Sequence, residues 1–287
     1  MTPSSPTVAA WELGMRLREA REEVGLTGVT AAKELGISQN FLSEVEHGKR
    51  RLTADKLAEA ASLYEVHEDE LFELQELRRG TDERGWWTQY SGLFPPELLR
   101  YFGYEWGAES IRMHESLLIP GLLQTEAYAH AIVTSDSPNT RTSEADQRVE
   151  ARMLRQRRLR GEDPLRLTVV LSEGALHQQV GGPTVLAEQL EHLLALIEEL
   201  PDTLELLVVP FTAGAHGALG ASTFHILSFP SPRLPDLVWQ ETLTWLGVIA
   251  DRARTREYAA TFAQCLRKTA GRRGSRDMVH RALREIA

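Results

Sequence analysis

The chain has 287 residues, of which 42% are hydrophobic and 25% are charged, and its formal net charge is -9. This length is sufficient for two domains with separate cores, and the composition excludes a disordered or fibrous protein. The negative balance excludes a surface that is basic throughout, so any nucleic-acid contact must come from a local basic patch.

The sequence also indicates the compartment. Its one cysteine, Cys265, forms no internal disulfide, and residues 1–10 lack the basic start and the apolar core of a signal peptide. No apolar run approaches the roughly 20 residues of a membrane-spanning helix. We therefore expect a cytoplasmic protein that does not enter a membrane.

Residues 11–77 show helical periodicity in five short pieces. Gly25, Gly36 and Gly48 end the first three pieces, and Ser38 is placed to cap the third. We predict an all-α five-helix domain here. The polar, glycine-bounded stretch "RRGTDERG" at 78–85 is the predicted linker.

The third helix has two contrasting faces. Leu42 and Val45 point to one side of the predicted helix. The opposite side carries polar residues, namely Gln39, Asn40, Ser43 and Glu44. The basic run Lys49, Arg50 and Arg51 follows this helix.

Residues 86–287 alternate between strand and helix patterns and predict an α+β domain with a mixed sheet. Ile111, Met113, Glu115 and Leu117 are expected on one face of the first strand. Leu186, Leu190, Leu193, Leu194 and Ile197 are expected to be buried on an amphipathic helix. The predicted strands are 110–119, 165–173, 204–211, 221–229 and 236–242, and the predicted helices 120–133, 143–160, 183–200 and 250–268.

The stretch "GLTGVTAAKELGISQNFLSEVEHGKRRLTADKLAEAASLYEV" resembles the Xre-type family of phage-repressor-like, helix-turn-helix DNA-binding domains. The resemblance covers nearly the whole five-helix unit. The positions that carry it are Arg21, Gly25, Leu26, Ala32, Leu35, Gly36, Gln39, Leu42, Ser43, Glu46 and Gly48.

This resemblance implies that the third helix enters the major groove of double-stranded DNA, with Gln39, Asn40 and Glu44 facing base edges and Ser43 beside them. Amide side chains can pair bidentately with adenine, and a glutamate can accept a hydrogen bond from cytosine. The run 49–51 would supply phosphate contacts.

Glu46 lies two residues after Glu44 and so on the opposite side of the helix. In the family the matching acid pairs with an arginine of the first helix, which is Arg21 here. We favour a structural ion pair for these two residues, and we treat Glu44 as a possible base reader.

One position departs from the family. Gly28 stands where a phosphate-contacting glutamine is usual in the family. This predicts that a single five-helix domain, or head, binds DNA with modest affinity. Two linked heads would restore affinity through effective concentration, so we expect a homodimer held mainly by residues beyond about 86. The aromatic "GWW" at 85–87 would either cover that interface or join the core.

The segments "ESLLIPGLLQTEAYAHAI", "RVEARMLRQRRL", "LSEGALHQQVGG" and "LLVVPFTAGAHGA" resemble the Scr1-like (WhiJ-like) regulatory domain of actinobacterial regulators over roughly 86–270. That resemblance implies a transcription regulator that is often associated with a small protein encoded nearby. It implies no enzyme activity.

We find no catalytic or metal motif in this larger region, and we expect no cofactor. We interpret the glycine-rich loop "TAGAHGALGA" as a hairpin connection and favour this over a phosphate-binding loop. His216 within this loop is weak evidence for a metal site. Gln124 near a helix start is either part of a cap or part of a pocket edge.

Inward-facing acids need partners, because an isolated buried carboxylate is costly. Glu115, Glu173 and Glu241 lie at or near predicted strands, and Arg152 and Arg155 are available on a helix. If they converge, they form either a structural charge network, which we favour, or a polar pocket for a basic or hydroxylated ligand.

The main functional prediction is a sequence-specific transcription regulator whose carboxy-terminal domain dimerises and senses a small ligand or a small partner protein. An antitoxin-like interaction protein is the alternative. A DNA-tethered, metal-dependent hydrolase would instead need the acidic trio to share one site.

Overall fold

The computed structural model describes residues 2–135 and 142–286. They form two compact units, Pro3–Gln89 and a second that begins at Tyr90. None of the described helices combines the length and the apolar character that a membrane crossing requires.

The amino-terminal unit is helical. Its core is a continuous cluster that includes Leu13, Leu17, Leu42, Val45 and Leu57, all at most 3% exposed. The helices are α1 (Pro6–Glu23), α2 (Gly28–Glu34), α3 (Gln39–Glu46), α4 (Ala54–Leu63) and α5 (Glu68–Gly80), followed by a short 3-10 helix (Trp86–Tyr90).

The limits of this unit differ from the sequence-based expectation. The first helix begins at Pro6, capped by the side chain of Ser5, and not near residue 11. The last turn of α5 takes in residues 78–80, which overlap the expected linker at 78–85. Trp87 is 4% exposed and belongs to this unit.

The carboxy-terminal unit contains a six-stranded mixed sheet with strand order β3-β2-β1-β4-β5-β6. Strands β1 to β3 are parallel, and β4 to β6 extend the sheet in antiparallel fashion. The strands are β1 (Ser110–Glu115), β2 (Arg166–Ser172), β3 (Leu204–Val209), β4 (Phe224–Ser228), β5 (Leu237–Glu241) and β6 (Leu246–Ile249).

Helices pack around this sheet. The long helix between β2 and β3 buries Leu186, Gln189, Leu190, Leu193 and Leu196, as expected of a parallel crossover. The helices are α6 (Pro96–Gly107), α7 (Glu126–Ser135), α8 (Thr142–Arg155), α9 (Pro183–Glu199), α10 (Arg252–Leu266) and α11 (Gly271–Ile286).

Several elements differ from the sequence-based expectation. The first strand ends at Glu115, and Leu117 is 59% exposed because it lies beyond the strand instead of on its inner face. On α9, Leu194 and Ile197 are only half-buried, whereas Leu196 is buried. The region expected to be helical at 120–133 is a 3-10 turn (Gly121–Leu123) followed by α7. The elements α6, β6 and α11 are additional to those expected from the sequence.

Candidate functional site

The helix α3 is delimited by its own sequence. The Ser38 side chain accepts a hydrogen bond from the Phe41 amide at 3.1 Å and caps the first turn. At the other end Gly48 adopts φ 64°, and the Lys49 amide donates to the Glu44 carbonyl at 2.7 Å. This glycine-dependent ending turns the chain sharply, so the basic run 49–51 begins beside the last turn of α3.

The polar face of α3 is open to solvent. Gln39, Asn40 and Ser43 are exposed, while Leu42 is 2% and Val45 1% exposed on the opposite side. Polar side chains with donors and acceptors therefore project from a helix that is anchored by its apolar face. This arrangement presents hydrogen-bonding groups to a partner surface such as the edges of base pairs.

Glu44 is not free on this surface. Its carboxylate accepts a hydrogen bond from Arg50 Nε at 3.1 Å, and its side chain is 33% exposed. The structure thus joins an expected base-reading residue to an expected phosphate-contacting residue. Lys49, Arg50 and Arg51 are all exposed.

Arg21 and Glu46 form a buried two-point ion pair between α1 and α3. Arg21 Nε donates to Glu46 Oε1 at 2.6 Å and Nη2 donates to Oε2 at 3.1 Å, with both side chains at most 8% exposed. Arg21 Nη1 also donates to the Leu26 carbonyl at 2.6 Å. The hydrogen bonds that Arg21 donates to Glu46 raise the pKa of Arg21. This pair connects α3 to α1 and to the segment that precedes α2.

Two glycines allow α1 and α3 to approach closely. A Cβ at Gly14 would lie 2.2 Å from the Val45 carbonyl oxygen, and one at Gly48 would lie 2.7 Å from the Cα of Trp11. The sequence alone does not single out Gly14, because a glycine inside a helical pattern indicates only a weak helix former. Gly28 is the first residue of α2 and offers no side chain there.

The carboxy-terminal unit has a cavity of about 430 Å³ against one face of its sheet. It lies where α6, α8 and the turn after β1 meet strands β4 and β5. Four of the expected ligand or partner residues line it, namely Glu115, Gln124, Arg152 and Glu241. This volume lies in the range of small-molecule sites.

Strand register brings the acidic and aromatic groups of the cavity together. His225 on β4 pairs with Met113 of β1 on one side and with Trp239 of β5 on the other. Glu115 lies two residues beyond Met113 and so faces the same way. Glu115, His225 and Trp239 therefore lie on the same face of three neighbouring strands.

A chain of hydrogen bonds starts at Glu115, which is 5% exposed. Its carboxylate contacts His225 Nε2 at 2.9 Å and accepts from the Thr223 hydroxyl at 2.9 Å. His225 Nδ1 contacts the Tyr101 hydroxyl at 2.8 Å, and that hydroxyl donates to Glu105 at 2.9 Å.

The chain ends at Arg155. This guanidinium donates twice to Glu105, each time at 2.7 Å, and lies over the rings of Tyr101 and Phe102. Burial, and then the charge of Glu105, raises the pKa of Tyr101 well above its ordinary value. The hydroxyl therefore stays protonated. These groups satisfy one another and form a charge network.

Arg152 is placed differently from Arg155. It donates to the Gln124 side-chain oxygen at 2.9 Å, and Gln124 in turn donates to the Ile119 carbonyl. Burial, and then the nearby charge of Arg155, lowers the pKa of Arg152 to about 10, while Glu241 acts in the opposite direction. Gln124 thus forms part of a pocket edge, because it positions a cation in the cavity wall.

The three glutamates do not share one site. Glu115 and Glu241 line the cavity, but the Glu173 carboxylate accepts a hydrogen bond from the Phe211 amide at 2.6 Å and is absent from the lining. In the described part of the chain, no three His, Cys, Asp or Glu side chains group closely enough to hold a metal ion. His216 contacts the buried Cys265 sulfur at 3.6 Å.

Several residues that line the cavity are not among those expected from the sequence. Arg152 and Arg155 lie four and seven residues after Arg148, a spacing that places all three on one face of α8. That signal was readable. Tyr101, His225 and Trp239 carried no local signal, since their proximity depends on strand register and on the packing of α6.

The two units of the chain match two different protein families. Residues 12–74 match the family model described as a helix-turn-helix domain. Residues 98–281 match the family model described as a domain of unknown function, DUF5753.

A relative is similar to the amino-terminal region. It is the HTH-type transcriptional regulator ImmR of Bacillus subtilis (strain 168), 39% identical over 67 residues. The match covers 23% of this chain and 53% of ImmR, so the chain spans about half the length of that relative.

Proposed function

The chain belongs to the family of the domain of unknown function DUF5753, and from this membership and the helix-turn-helix ahead of it we propose that it is a sequence-specific DNA-binding transcription regulator. The observation that carries the proposal is the exposed polar face of α3, held from behind by buried Leu42 and Val45. The similar relative ImmR is an HTH-type transcriptional regulator, and this similarity supports the same function.

In this proposal the five helices act as an Xre-type, phage-repressor-like head. Gln39, Asn40, Ser43 and Glu44 read base edges in the major groove. Lys49, Arg50 and Arg51 contact phosphates. Because Arg50 holds Glu44 in the free protein, DNA would separate them, giving the arginine to a phosphate and the carboxylate to a base.

The carboxy-terminal unit serves as the regulatory part in this proposal, in the manner of a Scr1-like domain. We assign it two roles, dimerisation and the sensing of a small ligand in the 430 Å³ cavity. The charge network behind the cavity supports the sensing role, because it makes a rigid wall on which an added ligand can be positioned.

The test is selection of duplexes from a random pool by the full-length protein. We expect one enriched motif with two related half-sites, and binding that weakens as salt increases because phosphates are contacted. A pool with no enriched motif after repeated selection would contradict the proposed function.

A further inference from the structure

The deep charges of the cavity are already paired. Both oxygens of Glu115 are engaged, one by Thr223 and one by His225. Both oxygens of Glu105 are engaged by Arg155, and one also by Tyr101. A basic ligand would have to break these bonds, so the buried carboxylates are poor candidates for ligand contacts.

Arg152 is the cation that remains available. Its partner Gln124 is neutral, and within the described residues no carboxylate lies at ion-pair distance from it. A guanidinium has five N–H donors, so further donors remain for a ligand. A largely desolvated cation with no carboxylate bonded to it is costly, and an anionic ligand would offset that cost.

Arg148 adds a second positive group on the same face of α8. Its Nε is buried and has no hydrogen-bond partner among the described residues, while its Nη2 donates to the Leu93 carbonyl and lies 3.6 Å from a Glu144 carboxylate oxygen. Its guanidinium lies over the Phe94 ring at 5.2 Å. An unsatisfied buried donor that lines a cavity indicates an acceptor that arrives with the ligand.

The remaining wall is apolar. Phe94, Leu98 and Ile119 line it, and Trp239 stacks on Tyr101 with ring centroids 4.5 Å apart. Flat aromatic surfaces of this kind bind planar or aliphatic groups. Glu241 also lines the cavity, but it is exposed, so solvent weakens the effect of its charge without abolishing it.

We propose that this cavity binds a small amphipathic anion, with its acidic group at Arg152 and its aromatic or aliphatic body against Phe94, Leu98 and Trp239. This inference rests on the proposed sensing role of the carboxy-terminal unit and names the chemical class of the ligand. It differs from the basic or hydroxylated ligand expected from the acidic residues, because those acids have internal partners.

Two fluorescent probes with nearly the same rings test the proposal. Anilinonaphthalene sulfonate is an amphipathic anion, and phenylnaphthylamine presents the same aromatic body without the sulfonate. We expect saturable binding of the sulfonate to the full-length protein, at least about tenfold tighter than binding of the neutral dye, as one charge-assisted contact provides. Equal affinity for the two dyes would contradict the proposal.

Variants locate the binding site. Arg152→Gln should weaken sulfonate binding about tenfold or more and leave the neutral dye nearly unchanged, which also shows that the cavity is intact. Arg152→Lys should retain part of the affinity, since it keeps the charge. Arg157→Gln, an exposed arginine just beyond α8, is the matched control and should have no effect. Undiminished sulfonate binding by Arg152→Gln overturns the assignment.

Glu241→Gln tests whether the negative charge at the edge of the cavity opposes anion binding. Removing this carboxylate should tighten sulfonate binding a few-fold, because a like charge is lost. Weaker sulfonate binding by Glu241→Gln would contradict the proposal. A second pair of measurements separates this inference from the proposed function. Dye binding is measured without DNA, and operator binding is then titrated with and without the sulfonate. Dye binding that depends on Arg152 but does not change operator affinity would support this inference and contradict the proposed sensing role. Loss of Arg152 dependence overturns this inference alone.

Discussion

Glu44 and Glu46 lie two residues apart on α3 and differ in burial and in partner. Glu46 is 7% exposed and bound at two points to Arg21, whereas Glu44 is 33% exposed and bound once to Arg50. Glu46→Ala should lower the free energy of unfolding by about 3 kcal/mol, the low end of the cost of breaking a buried pair, because buried Arg21 then keeps only the exposed Glu22 at 3.4 Å. Glu44→Ala should lower it by about 0 to 1 kcal/mol.

Urea unfolding of the two variants beside the wild-type protein measures this difference. Arg18→Ala, which removes a surface pair with Glu22, is a matched control and should behave like Glu44→Ala. Similar losses for Glu44→Ala and Glu46→Ala would contradict the assignment of a structural role to one and a surface role to the other.

Tyr64 gives the amino-terminal unit a pH dependence. Burial, and then the charge of Glu46, raises its pKa to about 12, and its hydroxyl has no hydrogen-bond partner among the described residues. The raised pKa means that the folded state favours the neutral phenol. The corresponding stability is complete below about pH 10, the ordinary pKa, and is lost as the pH rises through about 12.

Residues 3–89 contain one tyrosine, so the ultraviolet absorbance of the isolated unit reports Tyr64 alone. We expect a tyrosinate midpoint near pH 12 in buffer and near pH 10 in denaturant. Tyr64→Phe should fold with undiminished stability, because the hydroxyl has no bond to lose. A folded-state midpoint near pH 10 would contradict the prediction.

At this scale the sequence indicated some pairs and not others. Arg21 and Glu46 could be matched because the helical period turns Glu46 inward and the family resemblance names its partner. Glu115 is a candidate from sequence because an inward-facing acid needs a partner. Its partner His225 lies 110 positions away in sequence, and only strand register brings them together.

At the scale of elements, the close crossing of α1 and α3 is set by Gly14. A Cβ there would lie 2.2 Å from the Val45 carbonyl oxygen, which belongs to the backbone and cannot rotate away. Gly14→Ala should therefore displace α3 and destabilise the unit by about 1 to 3 kcal/mol, the usual cost of overpacking. Operator affinity should fall along with stability.

Thermal unfolding and operator titration of the same variant check this prediction. Gly92→Ala, where nothing lies within 4 Å of the added carbon, is the matched control and should alter neither property. Gly14→Ala with unchanged stability would show that α1 and α3 tolerate a wider spacing.

The elements that the sequence predicts differ in hydrophobic periodicity from those that it does not predict. The helix α9 has a strong apolar stripe and was readable from its spacing. The helix α11 contains many arginines and buries mainly Met278, Val279 and Ala282, so its stripe is narrow. The four-residue strand β6 and the aromatic-rich helix α6 also gave no clear period, because tertiary packing decides their state.

For the whole molecule, we predict a homodimer that reads two half-sites. The amino-terminal unit has its own core, so a protein truncated after Gln89 should fold as a monomer. It should bind the operator much more weakly than the full chain and protect one half-site, because effective concentration is lost. In a two-fold dimer the half-sites lie about one helical turn apart, roughly 34 Å.

Sedimentation of both proteins, free and bound to DNA, measures the assembly, and footprinting measures the protected length. Linking two truncated heads by a flexible spacer is the control and should restore much of the affinity. A full-length protein that binds DNA as a monomer, or a truncated head with equal affinity, would contradict the homodimer.

The central claim is that α3 reads DNA sequence, and one comparison tests it most directly. It is the ratio of affinities for the selected operator and for a scrambled duplex, measured for the wild type and for Gln39→Ala combined with Asn40→Ala. The control pair combines Ser62→Ala with Gln75→Ala on α4 and α5. We predict a fall of roughly 30-fold or more in this ratio for the α3 pair, since each base contact supplies about 1 to 3 kcal/mol of discrimination. The control pair should keep the ratio of the wild type. An unchanged ratio for a folded α3 variant would contradict the account.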